Sequence, residues 1–427
     1  MESLSDANAL KSNFIWNTFG NVFYLFTQWL LAIIIVRIDN AYATAGLLSL
    51  CMTIGNVGLV AACYNIRAYQ VSDIDDRFSQ SDYFTNRVIN CIITVFSTVL
   101  FCAVVRYDFS TSSAVTAYAL FKITEALADL YYGVAQKHDR MDYVGKSYIL
   151  KGISTSFTFI LFYYIFRNLL LAISVMFLVS LAITQLYDSK NARMFTKLAI
   201  AKNIRTYYKL LSVCFSPFVY GVCIAVIPAI PRLYLEQNQG KEMLGIYSSI
   251  AMPAVIVQTS IALLFAPLIT FFSRYYKNKD MKFIKLFALV LFLVALLGVV
   301  STLVISRIGK EILVFLYNQD IAEYTRVFTT AIVSSFLTGL VWFLFMILTV
   351  MRKMKTIFVG SLTGVLVIII STVIGMPAYG IDGVNYILII VYVQMSLLAF
   401  SAIAFSIKRH MSIRQVGIGI TEDLGNQ

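Results

Sequence analysis

Stretches of about 20 mostly apolar residues recur along the chain, and charge collects in the gaps between them. A run of that length is what a helix needs to cross about 30 Å of hydrocarbon. Twelve such segments are read, at 13–37, 42–66, 88–105, 112–136, 147–166, 168–187, 210–234, 243–272, 283–306, 324–350, 356–376 and 380–407. In hydrocarbon every backbone polar group must be bonded internally, so segments of this kind fold as a bundle of helices. Composition agrees, with 59% of the 427 residues hydrophobic and 13% charged, against about 45–50% and 25% in soluble domains. The expected class is an all-α integral membrane protein with about 12 transmembrane helices.

The chain carries 34 Lys and Arg against 22 Asp and Glu. An excess of this kind can mark a nucleic-acid binder, so its placement matters. With the amino terminus inside, the inner segments collect 25 basic residues, the outer segments hold eight, and Lys122 lies within a span. That asymmetry predicts both termini on the cytoplasmic side. The basic excess is therefore topological, and nucleic acid drops out as a partner. No cleavable signal peptide is expected, because the first span is too long and too polar for one. All six cysteines lie inside apolar runs, so no extracellular disulfide frame is implied.

The longest connections, near 67–87 and 188–209, are both predicted to be internal, and neither is large enough to fold alone. The basic run from Lys190 to Lys209 is interleaved with Met194, Phe195, Leu198 and Ile204. It reads as an interfacial linker on anionic headgroups, tying two six-span halves together. The expected division is a first half at 1–187, the linker at 188–209, a second half at 210–408 and a cytoplasmic tail at 409–427.

Polar groups inside spans are costly and face the bundle interior or water. In the fourth span, Tyr118, Lys122, Glu125, Asp129, Tyr132 and Gln136 recur at spacings of three and four. They share a face about 80° wide. One reading is a self-neutralising cluster, since Lys122 and Glu125 stand at i,i+3. The other is a wet cavity wall, with Lys122 as a substrate-binding cation and Glu125 or Asp129 as a titratable coupling acid. Asn13, Asn17, Asn21, Tyr24 and Gln28 line one face of the first span, either as helix-to-helix glue or as cavity lining. In the second span a stripe of Ser49, Thr53, Asn56 and Cys63 ends on Arg67. The fifth span opens with Lys151, close enough to the span's end to snorkel. The second half carries almost no charge within its spans but all six prolines, five of them (Pro217, Pro228, Pro231, Pro253, Pro267) in spans seven and eight. These predict bends, whether static or hinged.

No phosphate-binding Gly-rich loop, nucleophile elbow or zinc spacing is present, so neither ATP hydrolysis nor a metal or other cofactor is indicated. The DIDD run at 73–76 can mimic a metal-binding pair of acids, but it reads as a solvated loop.

Three stretches carry a family resemblance: NFIWNTFGNVFYLFTQWLLAIIIVR at 13–37; RAYQVSD at 67–73 with FSQSDYFTNR at 78–87; and IPRLYLEQNQGKEMLGIYSSIAMPAVIVQ at 230–258. With twelve spans in two sixes and a basic internal linker, the chain resembles the polysaccharide-transporter branch of the multidrug/oligosaccharidyl-lipid/polysaccharide exporter superfamily, the Wzx-like flippases. The likeness runs through the twelfth span. It implies two pseudo-symmetric six-helix lobes around a V-shaped central cavity, alternating access, and a cationic cavity for a lipid pyrophosphate. It places the protein in a bacterial cell membrane. The expected function is to flip a polyprenyl-pyrophosphate-linked oligosaccharide from the cytoplasmic to the outer face during capsule, O-antigen or related glycan synthesis. Such a flippase is not an enzyme. The expected partners are that lipid-linked sugar, membrane lipids, a coupling H+ or Na+, and the polymerase and glycosyltransferases of the same assembly line.

The residues expected to bind substrate are Lys122, Arg67, Lys151, Asn13, Asn17, Asn21, Gln28, Asn56 and Tyr118, with Glu125 or Asp129 for the coupling ion. The alternatives are a cation-coupled multidrug antiporter of the same superfamily, a membrane polymerase or glycosyltransferase, and a non-transporting scaffold. Lys122 argues against a pocket for cationic drugs. The short, His-free outer loops argue against an enzyme, and the intramembrane charges argue against a scaffold.

Overall fold

A computed structural model describes residues 2–39, 41–73, 75–201, 203–265 and 268–425, and every element among them is helical. In order these are α1 (Glu2–Asp39), α2 (Ala43–Cys63), α3 (Ile66–Ser72), α4 (Gln80–Val105), α5 (Phe109–Lys137), α6 (Met141–Phe166), α7 (Leu169–Ile183), a π-helical turn (Thr184–Ser189), α8 (Lys190–Arg193), α9 (Ile204–Phe265), α10 (Leu268–Lys277), α11 (Lys282–Leu316), a 3-10 turn (Gln319–Tyr324), α12 (Thr325–Val350) and α13 (Met354–Gly425). Nine helical stretches among the described residues are long and apolar enough to cross a membrane. The chain is a multi-pass membrane protein. α5 is not one of the nine, and its middle carries Lys122, Glu125 and Asp129.

Local signals set the helix ends. Ser79 and Asp82 form a reciprocal capping box at the start of α4, and the Asp108 carboxylate accepts from Thr111 N at 3.0 Å at the start of α5. Hydrogen bonds from Thr111 hold the Asp108 carboxyl down, to about 2. Between α2 and α3, Tyr64 and Asn65 both take left-handed backbone conformations, with φ 49° and 54°. The second span therefore stops three residues short of its expected end, and the chain turns before Arg67. Asp73, in the DIDD run, accepts from Tyr83 Oη at 2.7 Å and from the backbone N–H of Arg77 and Phe78, both at 3.1 Å. Burial pushes its carboxyl up, but these bonds and the nearby Lys137 leave it below the usual range. Its oxygens shape the turn.

Through Pro217, Pro228, Pro231 and Pro253 the α9 dihedrals stay helical, because the fixed φ of proline is itself helical. The non-helical residue inside α9 is Gly240, at φ 87°, and inside α13 it is Gly380, at φ 53°. Pro267 lies outside the described residues.

The chain divides into two compact units, 1–248 and 249–427. The first extends past the 188–209 linker because residues 241–248 pack on α2. A methyl group at Gly46 would sit 1.7 Å from Lys241 O, and one at Gly245 would sit 2.0 Å from Tyr42 O, so backbone meets backbone there. Ser49 and Ser248 are hydrogen bonded beside this contact. In this unit α5 is central, packed by α2, α3, α4, α6 and α7, while α1 lies along α6. In the second unit α12 packs against α10, α11 and α13, over an aromatic core of Phe265, Phe272, Phe283, Phe287 and Phe343.

Candidate functional site

Because α5 is surrounded, its polar stripe has no lipid to face and must find partners within the first unit. Lys122 is 7% exposed, and its Nζ lies 3.0 Å from both Glu125 carboxylate oxygens. Tyr24 of α1 donates to the same carboxylate. The ammonium stands 5.6 Å from the Tyr118 ring centre and 5.2 Å from that of Phe121. Gly55 of α2 leaves room for this arrangement, since a methyl group there would come within 2.6 Å of the Tyr118 ring and 3.3 Å of the Lys122 stem.

One turn further along, Asp129 is held by two guanidinium groups. Arg67 reaches Oδ1 at 3.1 Å and Arg87 reaches Oδ2 at 2.9 Å. Arg67 also donates twice to Gln136 Oε1, at 3.2 and 2.9 Å. The break at Tyr64–Asn65 permits this, by letting α3 approach α5 independently of α2. Arg87, on α4, is fully buried and donates to Ala126 O at 3.0 Å.

The third pair is Lys151 with Asp188, at 2.7 Å. Lys151 does not snorkel. It is 2% exposed, and Tyr132 Oη lies 3.3 Å from its Nζ and 2.8 Å from Ser147 Oγ. Asp188 lies in the π-helical turn, whose wider winding shifts the register of the side chains that follow α7. Four cations (Arg67, Arg87, Lys122, Lys151) thus meet three carboxylates (Glu125, Asp129, Asp188), leaving one positive charge in excess.

The structure brings together Tyr118, Lys122, Glu125, Asp129 and Arg67, with Lys151 beside them through Tyr132. The asparagines of α1 are placed differently. Asn13 donates to Asp139 O at 2.6 Å and accepts from Asp142 N at 3.0 Å, fastening α1 to the start of α6. Asn17 is half-buried, and Asn21 and Asn56 are exposed. Gln28 is buried, and neither amide atom has a protein partner.

Sequence reasoning counted Arg87 only as a marker of topology and did not single out Asp188. Arg87 had a legible signal, because Tyr83, Asn86, Arg87, Asn90, Thr94 and Thr98 recur at helical spacing on the buried side of α4. Asp188 had none, because a π-turn is not written in hydrophobic periodicity. Among the described residues no group of three or more His, Cys, Asp or Glu is placed to hold a metal.

No protein-family model matches the chain. A capsular polysaccharide biosynthesis protein of Staphylococcus aureus, CapF, is 26% identical to it over 326 residues, covering 74% of this chain and 79% of that protein. Among solved structures, the lipid II flippase MurJ in an inward closed conformation aligns with a TM-score of 0.73 at 12% identity, covering 91% of this chain and 87% of that one. An inward-facing multidrug resistance MATE family transporter of the MOP superfamily aligns at 0.69 with 10% identity, over 91% and 95%. The MATE transporter VcmN of Vibrio cholerae aligns at 0.61 with 12% identity, over 95% and 98%. The chain has the fold of the MOP-superfamily transporters.

Proposed function

We propose that this chain flips a polyprenyl-pyrophosphate-linked oligosaccharide from the cytoplasmic to the outer face of a bacterial cell membrane, by alternating access, during polysaccharide synthesis. The observation that carries the reading is the excess of positive charge around α5, where four cations meet three carboxylates. A sugar-pyrophosphate headgroup cannot cross about 30 Å of hydrocarbon unaided, since each unsatisfied polar group costs several kcal/mol there. A polar interior with surplus cations removes that cost for an anion, and the polyprenyl tail stays in lipid. The fold shared with MurJ and the sequence similarity to CapF support the same class.

In this reading Lys122 and Arg67 contact the pyrophosphate, with Lys151, Tyr118, Gln28 and the α1 and α2 asparagines Asn17, Asn21 and Asn56 supplying further polar contacts, while Asn13 fastens α1 to α6. Glu125 or Asp129 holds the cations when no substrate is present and carries the coupling H+ or Na+. Twelve crossings follow when α5 is counted with the nine apolar stretches and the breaks at Gly240 and Gly380 each divide one stretch in two. Six fall before the basic linker and six after it, with both termini inside. The polymerase and glycosyltransferases of the same glycan are the functional partners.

The test is flipping by the purified chain in vesicles that carry the lipid-linked sugar in one leaflet, read by its access to an impermeant glycosidase. Protein-dependent access is expected. No change in access, together with uptake of a cationic dye, would replace this reading by the multidrug antiporter, which the MATE structures favour.

A further inference from the structure

Among the described residues the first unit buries four carboxylates, and three of them are compensated. Asp73 accepts from two backbone N–H groups, Asp142 pairs with Arg140 and Lys146, and Asp188 pairs with Lys151. The fourth, Glu236 on α9, is 7% exposed and accepts from Tyr107 Oη at 3.0 Å. Among the described residues no cation lies within ion-pair reach of it. The charged and titratable groups that face it are Tyr107 and Asp108, between α4 and α5, and Lys241 on its own segment. Lys241 is engaged elsewhere, with its Nζ 3.3 Å from Asp108 Oδ1 and bonded to Thr111 Oγ1. Arg232, one turn before Glu236, lies over the Tyr247 ring at 5.7 Å, and Glu242 is exposed.

This carboxylate sits where the middle of α9 is seated on the rest of the first unit. Gly240, at φ 87°, breaks the helix just beyond it. After the break, Lys241 O meets Gly46, Gly245 meets Tyr42 O, and Ser248 is hydrogen bonded to Ser49. Before the break, Glu236 reaches Tyr107. The turn is thus fastened on both sides, to α2 by backbone contact and to the α4–α5 connection by Glu236 and Lys241. Backbone contacts do not titrate, and the Asp108 carboxyl is held down to about 2. Glu236 is left as the fastening whose charge can change, because burial without a counter-charge penalises an ionised carboxyl.

We propose that Glu236 is a proton-operated latch, seated against Tyr107 when its carboxyl is neutral and released with the Gly240 turn when it ionises. Linkage sets the direction. Once released, the carboxyl stands in water and titrates near the ordinary value of about 4.3. The seated state disfavours the charge, so it binds more protons, is favoured at low pH, and is lost as pH rises through its own titration. The Tyr107 bond survives protonation, because a neutral carboxyl still has an accepting oxygen. In the proposed topology this turn faces outside, so external protons favour its seated form. The inference does not depend on which molecule the chain transports, and its readout is the position of the turn rather than flipping.

The experiment is double electron–electron resonance on the full chain, with nitroxides at Ser110→Cys and Asn238→Cys after the native cysteines are replaced by alanine. Both labelled positions are exposed. Distances are compared at about pH 5 and about pH 8, either side of the expected change. Three proteins are measured: the labelled parent, Glu236→Gln, and Glu242→Gln as the control on the same turn. All must elute as monodisperse protein, with Glu236→Met replacing Glu236→Gln if the latter does not. In the parent, the ratio of short to long distances should fall at least about tenfold between the lower and the higher pH, since one pH unit between the two states' titrations is worth a factor of ten. Glu236→Gln should hold the short distance at both, and Glu242→Gln should respond as the parent does. A parent distribution that ignores pH, a response that persists without the Glu236 carboxyl, or one abolished equally by Glu242→Gln would each overturn the latch.

Discussion

The two units use the same helical architecture with opposite interiors. Every buried charged residue among the described residues (Asp73, Arg87, Lys122, Asp142, Lys151, Asp188, Glu236) lies in the first unit. The second unit buries hydroxyls and one asparagine instead, and four of those hydroxyls bond back to their own helix. Ser334 donates to Ala331 O, Thr338 to Ser334 O, Ser361 to Ile357 O and Ser406 to Ala402 O, at 2.7 to 3.0 Å. Such groups are satisfied within one helix and require nothing from a neighbour. In the first unit Arg67–Asp129, Arg87–Asp129 and Lys151–Asp188 cross between helical elements, so each constrains two elements at once, while Lys122–Glu125 lies within α5. Buried ion pairs are weak sources of stability, and apolar replacements often do as well. The concentration of such pairs in one unit therefore points to a role in handling charge.

The largest expected effect is at Arg87. Arg87→Ala leaves Asp129 with one guanidinium and opens a void, and should cost about 3–5 kcal/mol. Thermal unfolding followed by fluorescence-detected size exclusion measures this. A change as small as that of a second-unit hydroxyl variant would erase the distinction between the units.

The Lys151–Asp188 pair sharpens the comparison. Lys151→Met or Asp188→Asn alone should each lose about 3–5 kcal/mol, while Lys151→Met with Asp188→Leu should recover most of it, since no uncompensated charge stays buried. The same melting assay decides this. Transport by the stable double variant then tells whether the pair serves more than packing.

Lys122 and Glu125 form the third pair, and here transport at matched expression is the readout. An isolated Lys at mid-membrane costs about 2.5–3.5 kcal/mol, so Glu125→Gln should lower folded protein. Lys122→Arg should keep partial activity and Lys122→Met should not, because the binding reading requires a cation there. Recovery of transport in Lys122→Met with Glu125→Gln would reduce Lys122 to a structural partner and make the two units functionally more alike.

A smaller effect is expected at Asp73, outside the spans. Its carboxyl is held below the usual range, so its stabilising contribution is full above the unfolded value near 4 and is lost as pH falls through the folded value. Asp73→Asn should cost about 1.5–3 kcal/mol near neutral pH and flatten the acid limb of the stability curve. An unchanged acid limb would mean that the turn does not depend on this charge. The smallest effect should come from the second unit, where Thr338→Val is expected to cost under about 1 kcal/mol and leave transport intact. A large loss there would show that the hydroxyl interior is not passive.

Much was legible in the residues themselves. The apolar runs determined an all-helical membrane protein because hydrocarbon admits no unbonded backbone. The period of the α5 stripe determined that Tyr118, Lys122, Glu125 and Asp129 share a face, because helical geometry is local. The same argument placed the charge in the first half of the chain. Tertiary structure alone decided which partners those groups take. Arg67 meets Asp129 because two left-handed residues turn α3 away from α2, and Asp188 meets Lys151 across helices through a π-turn. Arg87, whose polar stripe on α4 was legible but whose partner was not, is fully buried because α4 packs against α5. Asn13, on the same stripe as Gln28, is drawn off to fasten α6. Periodicity reports the face a side chain occupies on its own helix. The group that face meets depends on contacts between residues far apart in the chain, and no local pattern encodes them.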